Sequence, residues 1–186
     1  SLNSRSQQWN TNKLVYKSPD KHVCECCKPN IVASNGRVVI GFRNWLMGSR
    51  DIYYAVSTNH GKSFSDPVKS GNGTWQLNAC PMDGGSLALN TSGKVSAAWR
   101  RNGDVYYWTE KQAERKLAQG RDVSMTQNQN NVYVAWQESK KISVMNVNSK
   151  QITEIGNGIS PRVYALDNGK AICLWEDNKV VRFKII

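Results

Sequence analysis

The sequence predicts an all-β fold, a β-propeller of four antiparallel blades, on two observations. The first is a strand pattern used four times: Gly36-Arg37-Val38-Val39-Ile40-Gly41-Phe42, Gly93-Lys94-Val95-Ser96-Ala97-Ala98-Trp99, Asn130-Asn131-Val132-Tyr133-Val134-Ala135-Trp136 and Gly169-Lys170-Ala171-Ile172-Cys173-Leu174-Trp175. Each copy has a turn residue, a small apolar residue two on and an aromatic six on, and the aromatics are spaced by 57, 37 and 39 residues. Such intervals suit one four-stranded blade each. The second is that every copy lies between two further short apolar runs bounded by Gly, Asn and Ser, the signature of regular antiparallel strands.

The blades assemble from these runs in chain order. Leading strands are Asn30-Ile31-Val32-Ala33, Ser86-Leu87-Ala88-Leu89, Val123-Ser124-Met125 and Arg162-Val163-Tyr164-Ala165. Following strands fall at 51–56, 104–108, 142–145 and 179–183, and outer strands at 67–69, 115–117 and 152–155. The last blade has no outer strand of its own. Lys13-Leu14-Val15-Tyr16-Lys17 has the β character to supply it, and closing the ring this way would remove exposed sheet edges. The expected organisation is therefore one domain over 1–186, with blades at 28–71, 85–119, 121–157 and 159–186 plus 13–17. The alternative is part of a larger, six-bladed propeller.

Composition narrows the function classes. A chain of 186 residues is long enough for one substantial core. The formal charge of +11 favours an anionic partner such as an acidic glycan, but the 25 Lys and Arg are scattered among 14 Asp and Glu. No nucleic-acid-binding signature is present, so no nucleic-acid partner is expected. No apolar run approaches the roughly 18 residues of a membrane span. The first residues carry no apolar leader core, so a leader is expected to be absent from this chain or already removed. Oligomeric state is not legible.

The densest chemical signal is Cys24-Glu25-Cys26-Cys27. Neighbouring or once-spaced cysteines pair poorly with each other, because a relaxed disulfide needs particular Cα and Cβ separations. A fourth thiol lies in Asn78-Ala79-Cys80-Pro81-Met82-Asp83, and Met47 sits in the link Arg43-Asn44-Trp45-Leu46-Met47-Gly48-Ser49-Arg50. Both cysteine groups precede inner strands, of blades one and two, so alternation of strand direction places them on one face, at the channel mouth. That makes a soft-ligand set of Cys24, Cys26, Cys27 and Cys80 with Met82 or Met47, suited to copper(I) or, through thiolates alone, to zinc. Two readings stand beside it: a disulfide from Cys80 to one cluster member in an oxidising, periplasmic or secreted setting, and redox chemistry. His22 is near enough in sequence to join the cluster. Cys173 is expected to be a buried strand thiol.

Two resemblances add to this. Ser57-Thr58-Asn59-His60-Gly61-Lys62-Ser63-Phe64 resembles the Asp-box (BNR repeat) of sialidase-type propellers, with Asn59 for the aspartate and Phe64 for the tryptophan. That resemblance implies a structural turn between third and outer strands, and a sialidase-like glycan-binding module or glycosidase relative. It also suggests Arg43, Arg50 and Arg100 as carboxylate binders, with Asp83 beside them. No tyrosine nucleophile paired with a glutamate is assignable, so turnover as a sialidase is not expected. Cys24-Glu25-Cys26-Cys27 resembles a Cys-x-Cys-Cys element of some bacterial copper-resistance proteins, implying copper(I) binding. Trp99, Trp136 and Trp175 read as core. Trp45 and Trp75 are open to stacking on a sugar. Asp83 reads as the acceptor of a Gly-rich turn.

Overall fold

A computed structural model describes residues 2–3, 8–9, 11–128 and 131–186 of the chain. The fold is all-β, with β1 (Leu2–Asn3) paired to β2 (Gln8–Trp9). Four larger antiparallel sheets follow. Blade one is β3 (Asn30–Ser34), β4 (Arg37–Arg43), β5 (Ile52–Ser57) and β6 (Val68–Lys69). Blade two is β7 (Ser86–Leu89), β8 (Val95–Arg101), β9 (Asp104–Thr109) and β10 (Arg115–Gln119). Blade three is β11 (Arg121–Gln127), β12 (Val132–Glu138), β13 (Lys141–Asn146) and β14 (Gln151–Asn157). Blade four has, among the described residues, three strands, β15 (Ile159–Ala165), β16 (Ala171–Asp177) and β17 (Val180–Ile185). The predicted repeat thus coincides with β4, β8, β12 and β16, although Asn130, the first residue of its third copy, lies outside the described residues.

Alternation along the repeated strand explains how blades stack. Successive side chains point to opposite faces, so each copy serves two interfaces. Val39, Ile52 and Tyr54 of blade one meet Leu87, Val95, Ala97 and Trp99 of blade two. Ala98, Val105 and Tyr107 then meet Val132, Val134 and Trp136, while Tyr133, Ala135, Ile142 and Val144 meet Val163, Ala171, Cys173 and Trp175. Trp99, Trp136 and Trp175 are accordingly buried, at 3%, 2% and 8% exposure. Cys173 is wholly buried, and burial pushes its thiol up to about 12.

Polar side chains on the inner strands register each blade to the next. Asn30 accepts the N–H of Leu87 and donates to the carbonyl of Gly85. The Ser86 hydroxyl accepts from the Met125 N–H at 3.0 Å, Ser124 from Val163 at 3.1 Å and Thr126 from Ala165 at 3.0 Å. The last three each span 39 residues, one blade period.

Closure by the N-terminal segment is corrected. Residues 13–17 form no strand, and among the described residues none pairs with the outer side of β17. The segment is held over blade one instead: the Tyr16 ring stacks on Phe42 at 5.2 Å, its hydroxyl accepts from Asn44, and Lys13 donates to the Lys62 carbonyl. An aromatic contact on the nearest blade outweighed strand propensity there. The inner strands β3, β7, β11 and β15 pack in succession, but β15 does not pack on β3 as the others pack on one another.

The turn at 57–64 is self-bonded. The Ser57 hydroxyl accepts the N–H groups of Asn59 and Gly61, and the Asn59 side-chain Oδ1 accepts the Ser63 N–H at 3.0 Å. The His60 N–H donates to the Gly36 carbonyl, fastening this turn to the β3–β4 hairpin. No helix among the described residues is long and apolar enough to cross a membrane.

Candidate functional site at the channel mouth

The loop before β3 and the loop before β7 meet, as the alternation of strand direction predicts. The Cys24 N–H donates to the Arg43 carbonyl and the Cys27 N–H to the Cys24 carbonyl, so the three thiols ride on a tight turn anchored to the end of β4. Gly84 brings the second loop in: a Cβ there would run into the carbonyl of Lys28. A hairpin extension of blade one, with Asn44 bonded to Asp51, Leu46 to Ser49 and Arg50 to Trp75, completes this face.

The four sulfurs of Cys24, Cys26, Cys27 and Cys80 all lie within 4.8 Å of one another. Cys26 and Cys80 are disulfide-bonded, with Cα atoms 6.6 Å apart, whereas Cys24 and Cys27 are free and buried. Cys24 Sγ is 3.6 Å from Cys26 Sγ, and Cys26 Sγ is 3.9 Å from Cys27 Sγ. The hydrogen bond from Cys27 lowers Cys24 to about 6; burial opposes this, and the charges of Arg50 and Arg43 assist it. Cys27 is pushed up by that same hydrogen bond, by burial and by the Cys24 charge. The pair therefore favours its thiolate on Cys24. With the bridge intact and no metal added, absorbance at 240 nm should gain one thiolate as pH rises through about 6 and lose it on acidification. Arg50→Gln should move that step upward, and a step left in place would rule out the arginine's part.

Other expected ligands and binders stand differently. Met47 and Met82 lie on the surface, 84% and 75% exposed. His22 packs edge-on against Trp45 at 4.9 Å, not against the thiols. Trp45 also carries the Arg50 guanidinium on its other contact, at 3.7 Å. Trp75 lies under Arg43 and Arg100, at 5.4 and 5.7 Å.

Arg43 is corrected as a carboxylate binder. It is 1% exposed, and its guanidinium donates to the carbonyls of Asp83 (2.8 Å), Arg50 (2.6 Å) and Arg100 (3.0 Å). Those three bonds tie the second loop and the hairpin extension to the ends of β4 and β8. Arg50 is buried too, with Nε and Nη1 lacking hydrogen-bond partners. Asp83 behaves as its turn predicts: one carboxylate oxygen accepts the Gly85 N–H and the other the Asp122 N–H at 2.9 Å. Burial raises its pKa against the opposing pull of Arg43.

Beside this cluster lies a cleft of about 490 Å³, lined by all four inner strands. Lys28, Asp122, Gln127, Arg162 and Tyr164 contribute its polar and aromatic groups. Asp122 has φ of 52°, a conformation few side chains adopt, and its carboxylate is partly exposed with Arg121 at 3.9 Å. Asp122, Arg162 and Lys28 were not singled out from sequence. The signal was available, because the rule that put the cysteines at the mouth applies equally to Gly120-Arg121-Asp122 and to the residues opening β15.

No protein-family model and no curated protein matches the chain. Solved structures do. An α-L-arabinanase from Penicillium chrysogenum aligns over 86% of this chain and 56% of its own, at 12% identity and TM-score 0.55. The catalytic domain of a GH62 α-L-arabinofuranosidase from Coprinopsis cinerea aligns over 92% of this chain and 67% of its own, at 13% identity and TM-score 0.55. The NanB sialidase from Streptococcus pneumoniae aligns over 82% of this chain and 28% of its own, at 13% identity and TM-score 0.50. At these identities the likeness is one of fold: the chain is a β-propeller of the kind found in arabinanases and a sialidase. It spans 56% of the length of the arabinanase.

Proposed function

We propose that this chain is a carbohydrate-binding module built on a glycosidase-type propeller, taking an acidic glycan in the central cleft. The observation that carries the reading is the cleft itself, of about 490 Å³, whose lining includes Lys28, Arg162, Gln127, Asp122 and Tyr164. Sugar sites combine such an aromatic face with a few fixed polar groups, in volumes of roughly 300–1,000 Å³. Structures of the same fold were solved with arabinobiose and with cellotriose, which supports a sugar as the class of ligand. Binding is favoured over hydrolysis. Glycoside cleavage uses two carboxyl groups flanking one bond, and of the acidic residues lining this cleft Asp83 is buried on two backbone amides, leaving Asp122. The proposal predicts that calorimetric titration with sialyl- or uronate-bearing oligosaccharides gives saturable binding, weakened at least about tenfold by Arg162→Ala, the loss of one charged hydrogen bond. No heat with any acidic or neutral oligosaccharide would sink it.

A second reading rests on the sulfur group. Thiolate ligands at roughly 2.3 Å from one zinc ion sit about 3.8 Å apart in a tetrahedron, and the separations of 3.6 and 3.9 Å around Cys26 resemble that spacing. Copper(I) takes the same soft ligands. Cys24, Cys26, Cys27 and Cys80 would hold the ion once the Cys26–Cys80 bridge is reduced, with Arg43 and Arg50 balancing the thiolate charge. Anaerobic titration of reduced protein should take up zinc or copper(I) stoichiometrically, and Cys27→Ser should weaken uptake at least about 100-fold, as loss of one of four ligands does. Uptake unchanged by Cys27→Ser, or none, would exclude the site.

A further inference from the structure

We propose that the four sulfurs form a dithiol–disulfide relay, in which the buried Cys24 and Cys27 thiols pass two electrons through the exposed Cys26–Cys80 bridge to a disulfide presented at the channel mouth. The arrangement separates a store from a port. Cys24 and Cys27 are 3% and 5% exposed, whereas both bridged cysteines lie at the surface. Cys24 Sγ is 3.6 Å from Cys26 Sγ, in contact with the bridge, and all four sulfurs lie within 4.8 Å of one another. Within Cys24-Glu25-Cys26-Cys27, only Cys24 and Cys27 have two residues between them, the spacing at which dithiols close a disulfide inside one turn. The turn is already made, by the Cys27 N–H on the Cys24 carbonyl.

Exchange proceeds by attack of a thiolate on one disulfide sulfur while the other sulfur leaves. Cys24 Sγ gives up its proton and attacks Cys26 Sγ; the Cys26–Cys80 bond breaks, and Cys80 leaves with the electron pair and takes up a proton. The Cys24–Cys26 bond so formed joins once-spaced residues and is therefore short-lived. Cys27 Sγ, deprotonated in its turn, attacks Cys24 Sγ, closes Cys24–Cys27 and releases Cys26 as a thiol. No outside oxidant enters these two steps, because two thiols and one disulfide become one disulfide and two thiols. The exposed Cys26 and Cys80 thiols then reduce an external disulfide: one attacks it and expels a substrate thiol, and the other closes the protein bridge and expels the second. The buried dithiol ends as a disulfide, the substrate ends as two thiols, and the staple between blades one and two is restored.

The relay is independent of the sugar reading, and its tests are run with a chelator present so that no metal takes part. Native protein held with iodoacetamide should end with Cys26 and Cys80 alkylated and the bridge moved to Cys24–Cys27, as read by peptide mapping without reduction. A bridge still at Cys26–Cys80, with or without label on Cys24 or Cys27, overturns the proposal. Oxidised glutathione, used as the external disulfide, should be reduced until Cys173 is the sole free cysteine left among the three; no release of glutathione overturns it too. Cys24→Ser should abolish labelling of Cys80, and labelling at the parent rate would sink the relay. Cys26→Ser with Cys80→Ser keeps the buried dithiol but removes the port, and should slow glutathione release at least about tenfold, the port being the accessible sulfur pair. An unchanged rate there means that the buried pair reacts directly and no relay exists. The first two measurements need only the parent chain, so they decide the matter even where a variant fails to fold.

Discussion

Arg43→Ala is expected to destabilise the protein by about 3–5 kcal/mol, the cost of removing one partner from a buried charged network. The substitution deprives the carbonyls of Asp83, Arg50 and Arg100 of their donor at once. It also leaves Asp83 without the charge that opposes its desolvation. Each buried acceptor left unpaired costs about 1–3 kcal/mol, partly recovered where water enters. With a urea slope of about 2 kcal/mol/M, the midpoint should fall by about 1.5–2.5 M. Arg43→Lys should recover little, since one ammonium does not reproduce a planar fork reaching three carbonyls in different segments. A midpoint within about 0.3 M of the parent would show that the three segments are held by something other than this guanidinium.

Reducing the Cys26–Cys80 bridge is expected to lower stability by about 4 kcal/mol. The bridge closes a loop of 54 residues, and a chain-entropy estimate for that length gives about 4 kcal/mol. It joins the approaches to two inner strands, so its loss loosens blade one against blade two. Cys80→Ser should show the same deficit without reductant. Adding zinc or copper(I) separates the structural role from the metal site. Recovery of the reduced parent but not of Cys80→Ser means the same four sulfurs serve in two states, while recovery of neither leaves the bridge as a staple only.

The blades were legible because their period is written in packing. A residue two after the turn and an aromatic six after it must both be apolar when both faces of a strand are covered, and Val95 with Trp99 or Val132 with Trp136 meets that requirement. The meeting of Cys24, Cys26 and Cys27 with Cys80 followed from strand direction alone. Arg43 was misread because its three partners are backbone carbonyls, which leave no mark in a sequence, and because the segments that supply them converge only after folding. Residues 13–17 were misplaced for a related reason. Val15 and Tyr16 have β propensity, but the available partner was the ring of Phe42 rather than a strand edge. The bond between Cys26 and Cys80, rather than between Cys80 and either neighbour, depends on which sulfur the turn at Cys24–Cys27 directs outward. Its exposed member is Cys26, and the two thiols left free are buried.

The hydrogen bonds from Asn30, Ser86, Ser124 and Thr126 carry a consequence for how the molecule holds together over time. Each joins a blade to its immediate successor and to no other. Cooperativity in such an array passes from neighbour to neighbour, as in a one-dimensional chain of coupled units. The four blades should then open by fraying. Blade four has one such neighbour among the described residues, so it is expected to detach at the lowest free energy. Blades two and three, flanked on both sides, hold longest and form the last unit to exchange its amide protons.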